Sequence, residues 1–192
     1  MPRIPYADID ASPQKVRDFF QKMGGADTEV QNIFRMIAHS DISVREFIRL
    51  GARLLAKPHL EPRFRELAIL RIAQLLGARY EWAHHVPIAV GAGVTREQIK
   101  EIAEWHKSSL FTDDEKTVLA YTEEVVSDSQ PSDDTFAAAS KFLDSPSLVE
   151  LTLSIGYWSM VAKFLKTFQV DVEEEFLRQH DDLLKFTGLL PL

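Results

Sequence analysis

Glu66, Glu81, His84 and His85 are the residues whose types and spacing suit chemistry in this sequence. Glu81 and His85 stand four apart, and His84 stands three from Glu81, so on one helix they share a face and its edge. A carboxyl and an imidazole on one face make a proton-transfer pair: imidazole exchanges protons near neutral pH, and burial raises a carboxyl toward that range. The same spacing also suits an exposed salt bridge, worth about 0–1 kcal/mol. Glu66 has Ile69, Leu70 and Ala73 as its helical neighbours, all apolar. It is therefore expected to face a core, where a carboxylate must be paired, hydrogen-bonded or neutralised. The competing role for Glu66 is to stabilise a helix N-terminus.

Glu81-x-x-His84 also fits the helix motif of di-iron carboxylate proteins, which need a second such motif and two further Glu. His39, His59, His106 and His180 each lack a Glu three residues earlier, so that set is incomplete. A single metal on Glu81 with His84 or His85 is the remaining metal reading, and the expectation is no metal. His39, Tyr157 and Trp158 read as core or pocket wall. The sequence has no Gly-rich phosphate loop, no Gly-x-Ser-x-Gly elbow and no dinucleotide fingerprint, so no nucleotide cofactor is expected.

The elements that must carry these residues are helices, since no segment alternates apolar and polar residues between turn signals. Ser12-Pro13 opens a helix that Gly24 and Gly25 stop near Met23, and two more fit about 28–39 and 43–56. Leu60-Glu61-Pro62 precedes a run apolar almost all round from Phe64 to Leu76, with Gly77 suited to cap it: a buried central helix. A short helix holds Tyr80 to about Ala89, with Pro87 depriving the Ala83 carbonyl of its helical donor. Thr95-Arg-Glu-Gln98 and Thr112-Asp-Asp-Glu115 are capping boxes opening helices to about Trp105 and Val126. Ser145-Pro146 starts a long helix running to about Phe168, and the acidic stretch Asp171 to Phe186 reads as a surface helix with Glu173, Glu174 and Glu175 in solvent. The segment at Glu115 resembles that at Glu66, which would make a weak internal two-fold repeat.

A chain of 192 residues suits one domain with one core, here 1–192. The balance of 45% hydrophobic and 27% charged residues is that of a folded chain rather than a tail. A net charge of -7, with Lys and Arg spread along the chain, gives no footprint for nucleic acid. The apolar stretches are interrupted by Arg71, Gln74, Lys163 and Lys166, so no membrane partner is expected. Absence of cysteine removes thiol chemistry and disulfides and fits a reducing compartment, so a cytoplasmic location is expected.

Three stretches taken together carry a resemblance: Arg65 to Arg71 (RELAILR), Tyr80 to Ala89 (YEWAHHVPIA) and Gly93 to Ile99 (GVTREQI). Their order and spacing resemble the carboxymuconolactone decarboxylase family, strongly over about 60–105, within the superfamily of alkylhydroperoxidase D-like proteins. Gly156 to Phe164 (GYWSMVAKF) resembles the C-terminal half of longer members. The resemblance implies an all-α, alkylhydroperoxidase D-like helical bundle and a homo-oligomer, trimer or hexamer, with the site near a subunit boundary. In the peroxidase branch a Cys-x-x-Cys pair works with a helix Glu and a His. Aligned through Glu66 and His85, the two cysteine positions fall on Ala78 and Glu81, so thiol peroxidase chemistry is not expected here.

What the resemblance leaves is acid–base chemistry without a cofactor. It implies a decarboxylase or isomerase of small carboxylated or lactone-type metabolites, with His85 as general acid, Glu81 orienting it and Glu66 as a second proton carrier. Tyr80, Trp82 and His84 would line the site, and Arg71 or Arg65 would hold an anionic substrate. Phe34, Trp105 and Trp158 would shape the pocket. The alternatives are a non-catalytic oligomeric binding or scaffold protein of the same fold, or a peroxidase-related protein working through a bound metal.

Overall fold

A computed structural model describes residues 1–24, 30–56 and 58–188. Among the described residues every regular element is helical, in the order α1 (Gln14–Gly24), α2 (Asn32–Ile37), α3 (Val44–Ala56), α4 (Pro62–Leu76), α5 (Arg79–Gly91), α6 (Arg96–Glu101) with a 3-10 turn (Ile102–Glu104), α7 (Asp113–Asp128), α8 (Asp133–Ala139), α9 (Ser145–Phe168), α10 (Glu174–Gln179) and α11 (Asp181–Thr187). The described residues form an all-α bundle.

The centre of the bundle is α4. Pro62 sits in its first turn, where a missing N–H costs nothing, and Arg65 through Ala73 are all buried. Helices α5, α7 and α9 pack on its sides. A helix apolar on all sides must be covered on all sides, each buried aliphatic side chain contributing roughly 1.5–3 kcal/mol. Gly77, at φ 63, ends α4, and the Ala78 N–H returns to the Ala73 carbonyl at 2.7 Å, turning the chain straight into α5. That turn sets Glu66 on one helix against Glu81 and His85 on the next.

Both capping boxes form, and a single arginine ties them to α4. Arg63 Nε donates to Glu115 Oε1 at 2.5 Å and Nη2 to Gln98 Oε1 at 2.8 Å, while Gln98 Nε2 donates to Glu115 Oε2 at 3.1 Å. Glu115 thus serves a cap and a buried ion pair. The likeness of its segment to that of Glu66 does not extend to position, since Glu115 lies in the first turn of α7 and Glu66 lies inside the buried run of α4.

Helix α9 begins at Ser145 with the Asp144 carboxylate accepting from the Ser147 N–H at 2.9 Å, and it spans 24 residues. Its length and composition would also suit a membrane span, but here it is a core helix packed on α3, α4, α5 and α7. Against α3 the approach is close. A Cβ on Gly51 would lie 2.5 Å from the Tyr157 Oη, which donates to the Phe47 carbonyl at 2.9 Å.

Several elements differ from expectation for physical reasons. Helix α5 runs past Pro87 to Gly91, and the helix after Thr95 stops at Glu101 and tightens into a 3-10 turn. Helix α8, seven residues capped by Ser132, is too short to show a helical period in sequence. The acidic C-terminal stretch is two short helices, and Glu173 points inward instead of into solvent, its side chain only 12% exposed. The expected start of α2 at residue 28, and Gly25 as a stop signal, lie outside the described residues.

The Gly51→Ala substitution is expected to destabilise the protein by about 1–3 kcal/mol, as overpacking does. Urea unfolding of Gly51→Ala, and of Gly51→Ala with Tyr157→Phe, checks this: removing the hydroxyl should recover part of the loss.

Candidate active site

The turn between α4 and α5 brings Glu66 and His85 together, and α9 closes the third side. The Glu66 carboxylate is 0% exposed. Its Oε1 accepts from Arg65 Nε at 3.0 Å and Nη2 at 2.9 Å, and its Oε2 lies 2.8 Å from His85 Nδ1. Arg65 is itself buried and also donates to the Leu54 and Leu55 carbonyls at the end of α3, at 3.3 and 3.4 Å. On the other side of the imidazole, Trp158 Nε1 lies 3.0 Å from His85 Nε2, the two rings edge to face at 5.6 Å and 89°. The result is a buried chain running Arg65, Glu66, His85, Trp158.

Glu81 stands apart from that chain. Both its oxygens are buried without a hydrogen-bond partner. Burial, and then the charge of Glu66, push its carboxyl well above the usual carboxylate range. The Tyr157 phenol is also pushed up, first by burial and then by the charge Glu81 would carry, which places the two within electrostatic reach. The expected Glu81–His85 pair does not form; His85 is held by Glu66 from the neighbouring helix, because the core-facing edge of α5 meets α4 there.

The expected lining residues separate into other clusters. Tyr80 Oη donates to Glu173 Oε1 at 2.8 Å, His84 Nε2 meets Glu173 Oε2 at 2.8 Å, and the Asn32 N–H donates to Oε1 at 2.6 Å. His84 is stacked between Tyr80 at 4.4 Å and Phe176 at 3.9 Å. Burial raises the Glu173 carboxyl, but the bonds from His84, Asn32 and Tyr80 outweigh it and bring it down to about 2. Glu173 therefore clamps the C-terminal segment onto α5. Trp82 donates its indole N–H to the Gly188 carbonyl at 2.7 Å, part of the same strap.

Arg71 is not available to a substrate in the expected way. Its Nε and Nη2 hold Glu123 of α7 at 2.7 and 2.6 Å, where Trp105 Nε1 also donates at 2.5 Å. Arg65 is likewise occupied, by Glu66. His39 is tied to the Pro5 carbonyl at 2.8 Å, and Phe34 packs against the core. Among the described residues no three His, Asp or Glu side chains converge as metal ligands, and Glu81 and His84 diverge to different surroundings.

A cavity of about 290 Å³ opens where α4 ends, α5 begins and α9 ends. Ala78, Tyr80, Leu165 and Val170 form its apolar wall, with Lys166 and Asp171 at its polar side. Ala78 is one helical turn before Glu81, which is not part of the wall. Sequence reasoning missed Glu173, hidden in an acidic run, and gave Trp158 only a wall role; neither has a local signal, since their partners lie on α5.

This geometry can be compared with known proteins. Residues 44–124 match the carboxymuconolactone decarboxylase family, a match that takes in Glu66, Glu81 and His85. No curated protein matches the chain. Among solved structures, an uncharacterised peroxidase-related protein with an alkylhydroperoxidase D core, from Ralstonia eutropha JMP134, is 16% identical with a TM-score of 0.76, covering 98% of this chain and 97% of that one. A cysteine-to-alanine variant of the debrominase Bmp8, in complex with 2,3,4-tribromopyrrole, is 15% identical with a TM-score of 0.75, covering 94% of this chain and 97% of that one. A protein of unknown function from Agrobacterium tumefaciens is 20% identical with a TM-score of 0.65, covering 71% of this chain and 94% of that one. At these identities the structures share the fold.

Two titrations follow from the site. A carboxyl raised in the folded state costs stability as pH climbs from its unfolded value of about 4.5, by up to ~1.4 kcal/mol per pH unit until the folded value is passed. The Glu81→Gln variant escapes that cost, so its melting temperature should gain on the parent as pH rises from 4.5 to 8. Glu173 has the opposite sign: its contribution is present above 4.5 and lost as pH falls to about 2. The melting deficit of Glu173→Gln should therefore be widest near neutral pH and close across that acidic window.

Proposed function

We propose that this protein is a cofactor-free acid–base enzyme acting on a small carboxylated or lactone-type metabolite, releasing its carboxylate as CO2. The observation that supports this reading is Glu81, a fully buried carboxyl without a hydrogen-bond partner, beside a fixed Arg65–Glu66–His85 chain. Structural carboxyls in cores are paired, because leaving one unpaired costs roughly 1–3 kcal/mol or more. A carboxyl kept in its acid form at neutral pH is what proton delivery requires.

In the proposed reaction the bond between carbon and the departing carboxylate breaks, and its electron pair moves into a conjugated carbonyl of the substrate, giving an enolate and CO2. Glu81 then delivers its proton to carbon, and the carbonyl re-forms. The Glu81 carboxylate left behind faces the charge of Glu66, which favours its recovery of a proton from water before the next cycle. His85 leaves the role of general acid, since both its ring nitrogens are engaged. The 290 Å³ cavity, with apolar walls and with Lys166 and Asp171 at its polar side, offers room for a small ligand about one helical turn from Glu81. The debrominase of the same fold, bound to a brominated pyrrole, supports a small planar ligand. The working unit in this reading is a homo-oligomer, and nucleic acid and membrane have no part in it.

The test is turnover of a panel of carboxylated lactones and related acids, followed by CO2 release. A substrate should turn over, with kcat falling about 10²–10⁴-fold in Glu81→Gln and KM little changed. Full activity in Glu81→Gln would refute the assignment. A panel in which nothing turns over, and nothing raises the melting temperature, would favour the non-catalytic binding or scaffold reading.

A further inference from the structure

We infer that Trp158 is a positioning residue for this site: its indole N–H holds His85 in the neutral form protonated on Nδ1, which leaves Glu81 as the group with a proton to give. The second half rests on the acid–base reading above; the first half stands on hydrogen-bond geometry alone.

An indole N–H only donates. With Trp158 Nε1 at 3.0 Å from His85 Nε2, that nitrogen must present its lone pair. The ring proton then lies on Nδ1, which faces the Glu66 Oε2 at 2.8 Å, an acceptor. Any form with a proton on Nε2 would set two N–H groups against one another at 3.0 Å. The imidazole cannot turn over to escape this without giving up its bond to Glu66.

Trp158 is itself fixed. It is 3% exposed and packs edge to face on Tyr157, centroids 5.0 Å apart. Tyr157 is anchored in turn to the Phe47 carbonyl, in the space that Gly51 leaves open. The indole therefore has a rigid support running back to α3.

The consequence is electrostatic. Glu66 from α4 acts on the Glu81 carboxyl and Glu81 acts on the Tyr157 phenol from α9, while His85 stands about one helical turn further along α5. Helix α3 brings the backbone carbonyls of Phe47 to Tyr157 and of Leu54 and Leu55 to Arg65. Burial and the charge of Glu66 raise the Glu81 carboxyl, and Trp158 holds His85 in its Nδ1–H form beside Glu66. No imidazolium then forms beside Glu66 to relieve the field that keeps Glu81 in its acid form. Without the indole donor, Nε2 is free to take a proton.

Long-range 15N–1H correlation spectra of the ligand-free protein, labelled at histidine, read the tautomer directly. The parent should show His85 protonated on Nδ1 and bare on Nε2; a spectrum with the proton on Nε2 would overturn the proposal without any variant being made. In Trp158→Phe, which keeps a ring and removes the donor, the Nδ1–H form should give way to a mixture or a doubly protonated ring. Trp105→Phe, which removes an indole donor bonded to Glu123, should leave the His85 signals unchanged. The infrared carbonyl band of the protonated Glu81 carboxyl should be lost at a pH about one unit lower in Trp158→Phe, a tenfold change in its proton affinity. An unshifted band with an unchanged tautomer would mean that Trp158 only fills space. These readouts use no substrate, so a protein that turns nothing over still tests the role of Trp158, whereas failure of the turnover panel alone counts against the enzyme reading.

Discussion

The buried carboxylate of Glu66 is the constraint from which the rest of this structure follows. A charge with no exposure to water is tolerated only when its oxygens are fully engaged, and here two side chains do so: Arg65 on Oε1 and His85 on Oε2. Such a pair adds little net stability over an apolar replacement, yet removing one partner strands the other. It thus dictates placement. Helix α5 must lie where His85 reaches α4, and Arg65 must reach back to the carbonyls at the end of α3.

That arrangement leaves one acid unsatisfied. Glu81, a turn before His85, is brought into the same core without a donor of its own, and the charge of Glu66 adds to burial in keeping it protonated. The two carboxyls are pushed apart in character by their surroundings: one is an ion held by Arg65, the other an acid held by nothing.

The outer face of α5 does different work. His84, Tyr80 and Trp82 look like lining when read beside Glu81, but they receive the C-terminal segment through Glu173 and the Gly188 carbonyl. One helix therefore carries a buried polar edge toward α4 and α9, with Glu81 and His85, and beside it a clamp for the C-terminal segment. The cluster at Arg71 similarly fixes α4 to α7 through Glu123. Both are well-satisfied networks and specify packing.

Sequence by itself determined the helical class, the burial of α4 and most helix starts, because capping boxes, Pro at a first turn and a run apolar almost all round are local and need no partner. It offered Glu66 either a core-facing position or a helix-start role, and by resemblance it joined Glu66, Glu81 and His85 in one region. Tertiary structure alone decided who pairs with whom. Spacing along α5 suggested Glu81 with His85, but an imidazole at the helix boundary bonds whatever the next helix offers, and that is Glu66 and Trp158, separated from it by 19 and 73 positions. Glu173 could not be told from its exposed neighbours, since an acidic run has no period, and only the folding back of the C-terminal segment over α5 turns one carboxylate inward. Local rules fix where helices begin and which face is apolar; the partner of a buried polar group is fixed by contacts between segments far apart in the chain.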